Sequence, residues 1–217
     1  MINTVIFDLD GTLLDTLQDL TASVNYALSA YGLPPRSDKE VRAFLGNGYQ
    51  YLISHAVPTD APEALTENVL TAFATHYGEH CLDRTCPYDG IMSLLHTLKD
   101  NGIKMAIVSN KGHEAVQQLA KRFFSGLIDI AVGESKAVRR KPNPDTVLEA
   151  MKLLGSTRKE TMYVGDSEVD IKTSENAEVK AVTCLWGFRD KDFLLQHGAQ
   201  TLIERPEEIL QLIRASV

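Results

Sequence analysis

The sequence predicts an α/β protein: a doubly wound parallel sheet with helices on both faces, interrupted early by an all-helical stretch. Three observations predict it. The apolar run Val5-Ile6-Phe7 reads as a strand buried on both faces, because such strands are continuous rather than alternating. Beyond about residue 87, strand-length apolar runs alternate with stripes of helical period, the pattern of parallel strands joined by right-handed crossovers. Between residues 16 and 82 only the helical period appears.

Each element follows from its residues. Leu17, Leu20, Val24, Ala27, Leu28 and Tyr31 form the stripe of a first helix, which Gly32 and Pro34-Pro35 stop. Ser37 or Asp38 can cap a short helix carrying Val41 and Leu45, which ends at Gly46-Asn47-Gly48. Another runs through Leu52 to about Ala56, and a longer one carries Leu65, Val69, Leu70, Phe73 and Tyr77. The next stripe, Ile91, Leu94, Leu95 and Leu98, stops at Gly102 and leads into a strand at Met105-Ala106-Ile107-Val108. A helix with Val116 and Leu119, a short strand over 127–132 and a helix with Val147, Leu148, Met151 and Leu154 follow. Thr161-Met162-Tyr163-Val164 is a strand leading into Gly165-Asp166 and a helix. Strands at 179–183 and 201–203, each followed by a helix, complete the chain. The core is thus expected from residues 1–14 and 87–217, and the helical unit from 15–86. Residues 15–86 carry four basic and nine acidic residues, most of the chain's excess negative charge.

Composition narrows the partners. Apolar residues make up 44% and charged residues 24% of the 217, enough for a sizeable core. A net charge of −7 disfavours nucleic acid or an anionic membrane, both of which need an electropositive face. No apolar run approaches membrane-span length, and Asp8 breaks the N-terminal one, so a cytoplasmic protein without a signal peptide is expected. Cys81, Cys86 and Cys184 have no metal-site spacing and read as free thiols in a reducing compartment.

The chemistry is carried at strand ends. Asp8 and Asp10 in Asp8-Leu9-Asp10-Gly11-Thr12 follow the first strand, Ser109-Asn110-Lys111 the second, and Asp166 and Asp170 lie in Gly165-Asp166-Ser167-Glu168-Val169-Asp170. Lys141 lies in Arg140-Lys141-Pro142-Asn143-Pro144, ahead of a helix. In an open α/β sheet the ligand crevice lies beyond the carboxyl ends of the strands. Two acids there suit Mg²⁺ binding or a nucleophile paired with an acid/base. Each group also has a purely structural reading: Ser109-Asn110 as a helix cap, Lys141 as one charge of a solvated run with Lys136, Arg139 and Arg140, and Gly165-Asp166 as a turn. Those readings do not account for the order of all four.

That ordered set resembles the haloacid dehalogenase (HAD) superfamily of Asp-dependent phosphohydrolases, over nearly the whole chain. The resemblance implies a Rossmann-like core, with residues 15–86 as its inserted helical cap. It implies that Asp8 is the nucleophile, giving an aspartyl-phosphate, and that Asp10 is the general acid and then the base that activates water. Mg²⁺ is implied at the Asp8 carboxylate, the Asp10 main-chain carbonyl and Asp166. Ser109, the amide of Asn110 and Lys141 are implied to hold phosphate, with Asp170 orienting metal waters or Lys141 and Thr12 positioning Asp10. An acid at position 10 separates the chain from the family's carbon-directed dehalogenases, and Leu9 separates it from transport ATPases, which carry lysine there.

Gly46-Asn47-Gly48 resembles the cap segment of the phosphoglycolate phosphatase-like branch, and Trp186-Gly187-Phe188 a later segment of that branch. The glycines would let main-chain amides approach a small carboxylate, although an interhelical turn explains them equally. Trp186 reads as packing. His55 replaces an arginine common in that branch, and Ala177-Glu178 replaces Ala-Gly at a turn. The expected function is a Mg²⁺-dependent phosphomonoesterase for a small phosphorylated metabolite, 2-phosphoglycolate first, in a monomer or homodimer. A β-phosphoglucomutase-like mutase, a pyrophosphatase and a non-catalytic phosphometabolite-binding regulator remain alternatives.

Overall fold

The computed structural model describes residues 1–128, 130–135 and 138–216. The chain opens with β1 (Thr4–Phe7) and β2 (Leu14–Asp15). Four helices follow: α1 (Leu17–Ala30), α2 (Asp38–Phe44), α3 (Gly48–Ala56) and α4 (Glu63–His80). Next come β3 (Cys86–Pro87), α5 (Ile91–Asp100), β4 (Lys104–Gly112), α6 (His113–Phe124), β5 (Ile130–Glu134) and α7 (Asp145–Leu154). The last third holds β6 (Thr161–Gly165), α8 (Glu168–Ala177), β7 (Lys180–Cys184), α9 (Lys191–Gln196), β8 (Leu202–Ile203) and α10 (Glu208–Arg214).

Six strands form one parallel sheet in the order β5-β4-β1-β6-β7-β8. The expected doubly wound α/β core is present. β1 is central and wholly buried, and its alternate side chains serve the two faces. Val5 and Phe7 pack with Leu94, Leu95, Leu119 and Ile209 from α5, α6 and α10. Ile6 packs on the opposite side with Val147, Ala150 and Met151 of α7 and Ala177 of α8. The chain winds from β1 through β4 to β5, then returns to β1's other edge with β6. That reversal opens a crevice beyond the carboxyl ends of β4, β1 and β6.

The helical insertion has its own cluster, in which Leu20, Val24, Leu28, Val41, Leu52, Ile53, Val69, Phe73 and Tyr77 pack together. Ala115 and Phe188 of the sheet unit join it, Phe188 at the crevice. Ser37 caps α2 in a full capping box with Glu40. The insertion leaves and rejoins the sheet unit through an antiparallel ribbon, Leu14 opposite Pro87 and Asp15 opposite Cys86. The ribbon was not expected from sequence, since two residues per strand carry no period.

The strand expected over 127–132 is displaced. β5 begins at Ile130, while Leu127 and Ile128 hydrogen-bond back to Phe124 O and close the end of α6. Asp129 of that expected strand, and Lys136 of the charged run, lie outside the described residues. Ser109 and Asn110 do not cap α6: both lie within β4, and Gly112 occupies the N-cap position. No helix among the described residues is long and apolar enough to cross a membrane.

Candidate active site

Asp8 sits one residue beyond β1, and its amide continues the ladder by donating to Val164 O at 2.8 Å. Its Oδ1 accepts from Leu9 N (2.7 Å) and pairs with Lys141 Nζ (2.9 Å). Oδ2 accepts no hydrogen bond among the described residues and is the oxygen available to a ligand. Gly11, with φ +82°, turns the chain away. A Cβ there would fall 2.4 Å from Asp166 Oδ2, so a side chain at 11 is incompatible with this carboxylate.

Lys141 is buried and spends three donors: on Asp8, on Asp170 Oδ1 (2.7 Å) and on the Tyr163 hydroxyl (3.0 Å). It is not a solvated surface charge. Asn110 holds its backbone in place, accepting from Lys141 N (2.8 Å) and donating to Lys141 O (2.9 Å). The same amide donates to Gly46 O of the insertion at 3.0 Å. The Asn110 side chain is thus spent on positioning, leaving its main chain for any phosphate contact.

Asp166 follows β6 and accepts from Thr12 Oγ1 (3.1 Å) and Phe188 N (2.7 Å). Thr12 therefore steadies Asp166 rather than Asp10, correcting the role the resemblance implied for it. Asp10 is instead held by Thr16 Oγ1 (2.7 Å) and by both contacts of Lys111 Nζ (2.9 and 3.0 Å). Thr16 stands at the N-cap of α1 without capping it, its hydroxyl proton being committed to Asp10. Asp170, in the first turn of α8, collects Lys141 Nζ, Tyr163 OH, Ser167 Oγ (2.6 Å) and the amides of Asp166 and Ser167. It lies beside Lys141.

Ser109, Asn110 and Lys111 reach the crevice because the β4–β5 register shifts between Val108 and Gly112, a bulge that re-aims side chains at a sheet end. The crevice is lined by Asp8, Asp10, Ser109, Asn110, Lys141 and Asp166 from the sheet unit. Gly46, Gly48, Tyr49 and Leu52 roof it from the insertion. About 530 Å³ of space lies between these atoms, the open mouth included. Asn47 is not among the lining residues, so of the three expected specificity positions only the glycines face the crevice. His55 is exposed and stacks on Tyr51, 3.9 Å between ring centres. Trp186 donates to Thr12 O at 3.0 Å and packs on the core, as its packing reading anticipated.

Carboxylate oxygens of Asp8, Asp166 and Asp170 lie within 4.8 Å of one another, all buried. Burial pushes Asp8 well above the ordinary carboxylate range; Asp170, Asp166 and Asp10 push the same way, and Lys141 opposes them. Burial, with Asp170, raises Asp166 to about 7, against the Phe188 amide and the Thr12 hydroxyl. Asp170 is lowered despite its burial, because Lys141, Ser167 and Tyr163 all favour its charge. Three buried acids against one buried ammonium leave excess negative charge, which a hard divalent cation with oxygen ligands would offset. Asp8 and Asp166 suit that cation best, since Asp170 is already saturated with donors. The donor set fits.

Sequence reasoning assigned no role to Lys111, Thr16, Tyr163 or Arg189. Lys111 was visible two residues beyond Ser109, a same-face offset in a strand. Arg189 had no local signal; it donates to Glu168, to Arg42 O (3.0 Å) and to Leu45 O (2.7 Å), tying α2 to the sheet unit.

The sequence profile described as haloacid dehalogenase-like hydrolase matches residues 5–184. The chain belongs to that family of hydrolases. Within it the chain falls among phosphatases of the phosphoglycolate phosphatase-like branch. It is 32% identical to the phosphoglycolate phosphatase of Pseudomonas putida, over 97% of this chain and 77% of that one. It is 30% identical to the N-acetylmuramic acid 6-phosphate phosphatase of Pseudomonas aeruginosa, over 96% and 93%. A solved structure from Lactobacillus delbrueckii subsp. bulgaricus, assigned as a phosphoglycolate phosphatase, superposes with a TM-score of 0.93 at 36% identity, covering 97% and 98% of the two chains.

Proposed function

We propose that the protein is a Mg²⁺-dependent phosphomonoesterase acting through an aspartyl-phosphate at Asp8, on a small phosphorylated metabolite with 2-phosphoglycolate first. The supporting observation is the state of Asp8: it lines the crevice with Oδ1 anchored by Lys141 and the Leu9 amide, while Oδ2 has no hydrogen-bond partner among the described residues. A carboxylate so held can attack phosphorus without losing its orientation. In the proposal residues 1–14 and 87–217 form the catalytic core, and 15–86 the cap that closes over it. The enzyme would be cytoplasmic, a monomer or homodimer, with no nucleic-acid or membrane partner.

Asp8 Oδ2 forms the new P–O bond as the leaving alkoxide departs, and Asp10 supplies that alkoxide's proton. Asp10 then takes a proton from the water that attacks the aspartyl-phosphate, so one carboxyl serves both halves. Thr16 and Lys111 fix it for both. Ser109, the Asn110 main chain and Lys141 stabilise charge on the transferring group. Mg²⁺, bound by Asp8, the Asp10 carbonyl and Asp166, would neutralise the repulsion between carboxylates and phosphate. Closure of the cap excludes bulk water.

Both named relatives act, by their names, on phosphate esters of acids, which is why 2-phosphoglycolate leads and N-acetylmuramic acid 6-phosphate is the second substrate to try. Phosphate release from a panel of esters with Mg²⁺ tests the reading. Release from a carboxylated ester is expected; a correctly folded protein inert toward the whole panel would refute it. Accumulation of a sugar bisphosphate instead of free phosphate would indicate the mutase.

A further inference from the structure

We infer that Lys111, with Tyr49 lining the same crevice, is the specificity group of the crevice and receives a second negative charge carried on the leaving group of the substrate. The inference rests on the phosphatase reading and adds to it the residue that selects among esters.

Three observations carry it. First, of the two crevice ammonium groups, Lys111 is the one with a donor to spare. Lys141 has three polar partners, and Arg189 is engaged with Glu168 and two carbonyls of the α2 segment. An ammonium has three donors, and Lys111 directs its hydrogen bonds to Asp10 alone, leaving one without an acceptor among the described residues. Second, the ammonium is out of water, its side chain only 1% exposed, so an unfilled donor there gains strongly from an anion. It lies 4.5 Å from the ring centre of Tyr77 and 5.9 Å from that of Tyr49, both from the helical insertion. Third, the hydroxyls of Tyr49 and Tyr77 are buried without a hydrogen-bond partner among the described residues, and Tyr49 lines the crevice. A buried hydroxyl left unpaired is costly, which favours a ligand that pairs it.

The other roof side chains, Leu20, Leu45 and Leu52, are apolar, while Ser167, Phe188 and Arg189 line the crevice from the sheet unit. Its polar features therefore select a short leaving group ending in an anion such as a carboxylate. Lys111 also touches Asp10, so the anion would lie beside the group that protonates the departing oxygen, as in an ester whose acid group is one or two carbons from phosphate.

The test compares 2-phosphoglycolate with ethyl phosphate, a leaving group of similar size without the carboxylate, in wild type and Lys111→Met with Mg²⁺. Wild type is expected to favour the carboxylated ester by about 100-fold in kcat/KM. In the variant kcat should fall alike on both esters, because Asp10 loses its anchor, while the ratio falls to within about threefold of one through a further rise in KM for 2-phosphoglycolate alone, and Lys111→Arg should restore part of it. Equal losses on both esters would overturn the inference, because Lys111 would then only position Asp10. So would a wild type that hydrolyses both esters without preference. A wild type inert toward every ester defeats the phosphatase reading itself, and this inference with it. Should Lys111→Met not fold, Tyr49→Phe reads the same ratio: a drop of about tenfold supports the assignment and an unchanged ratio overturns it.

Discussion

Asp8 and Asp166 are carboxylates burdened by burial and by the charge of Asp170, and that burden can be measured. Asp166 is raised from 3.8 to about 7, and Asp8 is raised as well. Through that window the native protein holds protons the unfolded chain has released. Their stabilising contribution is therefore complete below the unfolded value and is lost as pH rises toward 7. Asp170, lowered by Lys141, works the other way, its contribution being lost as pH falls below the unfolded value. The metal-free protein is expected to melt at lower temperature at about pH 7.5 than at about pH 5, and Mg²⁺ is expected to raise the midpoint more at the higher pH. With Mg²⁺ at about 100 times its Kd the gain is about 2.7 kcal/mol. Calorimetry with and without Mg²⁺ checks this; a midpoint indifferent to the ion at both pH values would contradict the metal assignment. Asp8→Asn keeps the size of the side chain but removes the nucleophile, so turnover is expected to fall about 10³-fold or more in a steady-state phosphate assay. Residual activity within tenfold of wild type would exclude the aspartyl-phosphate. At this scale Asp8, Asp10 and Asp166 were readable because they follow strand ends, and Lys141 and Asp170 because they keep a fixed order with them. Thr12's attachment to Asp166 was not, because the two are distant in sequence.

At the scale of elements, the helices and most strands follow from apolar period, and their ends from capping chemistry. Ser37 with Glu40, and Ser167 with Asp170, form capping boxes at α2 and α8. The second box does double duty, since Asp170 also receives Lys141. α8 ends less favourably. Glu178 adopts φ +56° at the C-cap, a conformation that suits glycine and strains a residue with a Cβ. Glu178→Gly is expected to stabilise the protein by about 0.5–1 kcal/mol in urea unfolding, without altering turnover. A destabilised variant would mean that Glu178 makes a compensating contact, of which its 3.9 Å approach to Arg158 is the candidate. The β4 bulge could not be read in the sequence. It depends on pairing with β5, and Val108-Ser109-Asn110 alone looks equally like a strand running into a helix cap.

Across the whole molecule, the insertion sits over the crevice through a small set of polar ties. Arg189 grips the carbonyls of Arg42 and Leu45, Arg42 returns to Gly187 O at 3.0 Å, and Asn110 holds Gly46 O. Loss of Arg189 frees two carbonyls and leaves Glu168 without its cation, at a cost of about 1–3 kcal/mol. In Arg189→Gln, amide exchange in α2 is expected to quicken while β1 and β6 stay protected, and KM is expected to rise. Unchanged exchange in α2 would mean that apolar packing alone seats the insertion.

The order of the six sheet strands and their helices, the helical character of residues 15–86 and the identity of the acids are local properties. Apolar period, breakers and short motifs each lie within a few residues of chain, so the sequence alone determined them. Which side chain pairs with which was decided only by the tertiary structure. Lys111 joins Asp10, Thr12 joins Asp166 and Arg189 joins α2 across about 100 to 150 residues of chain. A hydrogen bond is set by distances of about 3 Å, and those distances exist only once the sheet has brought its strand ends together.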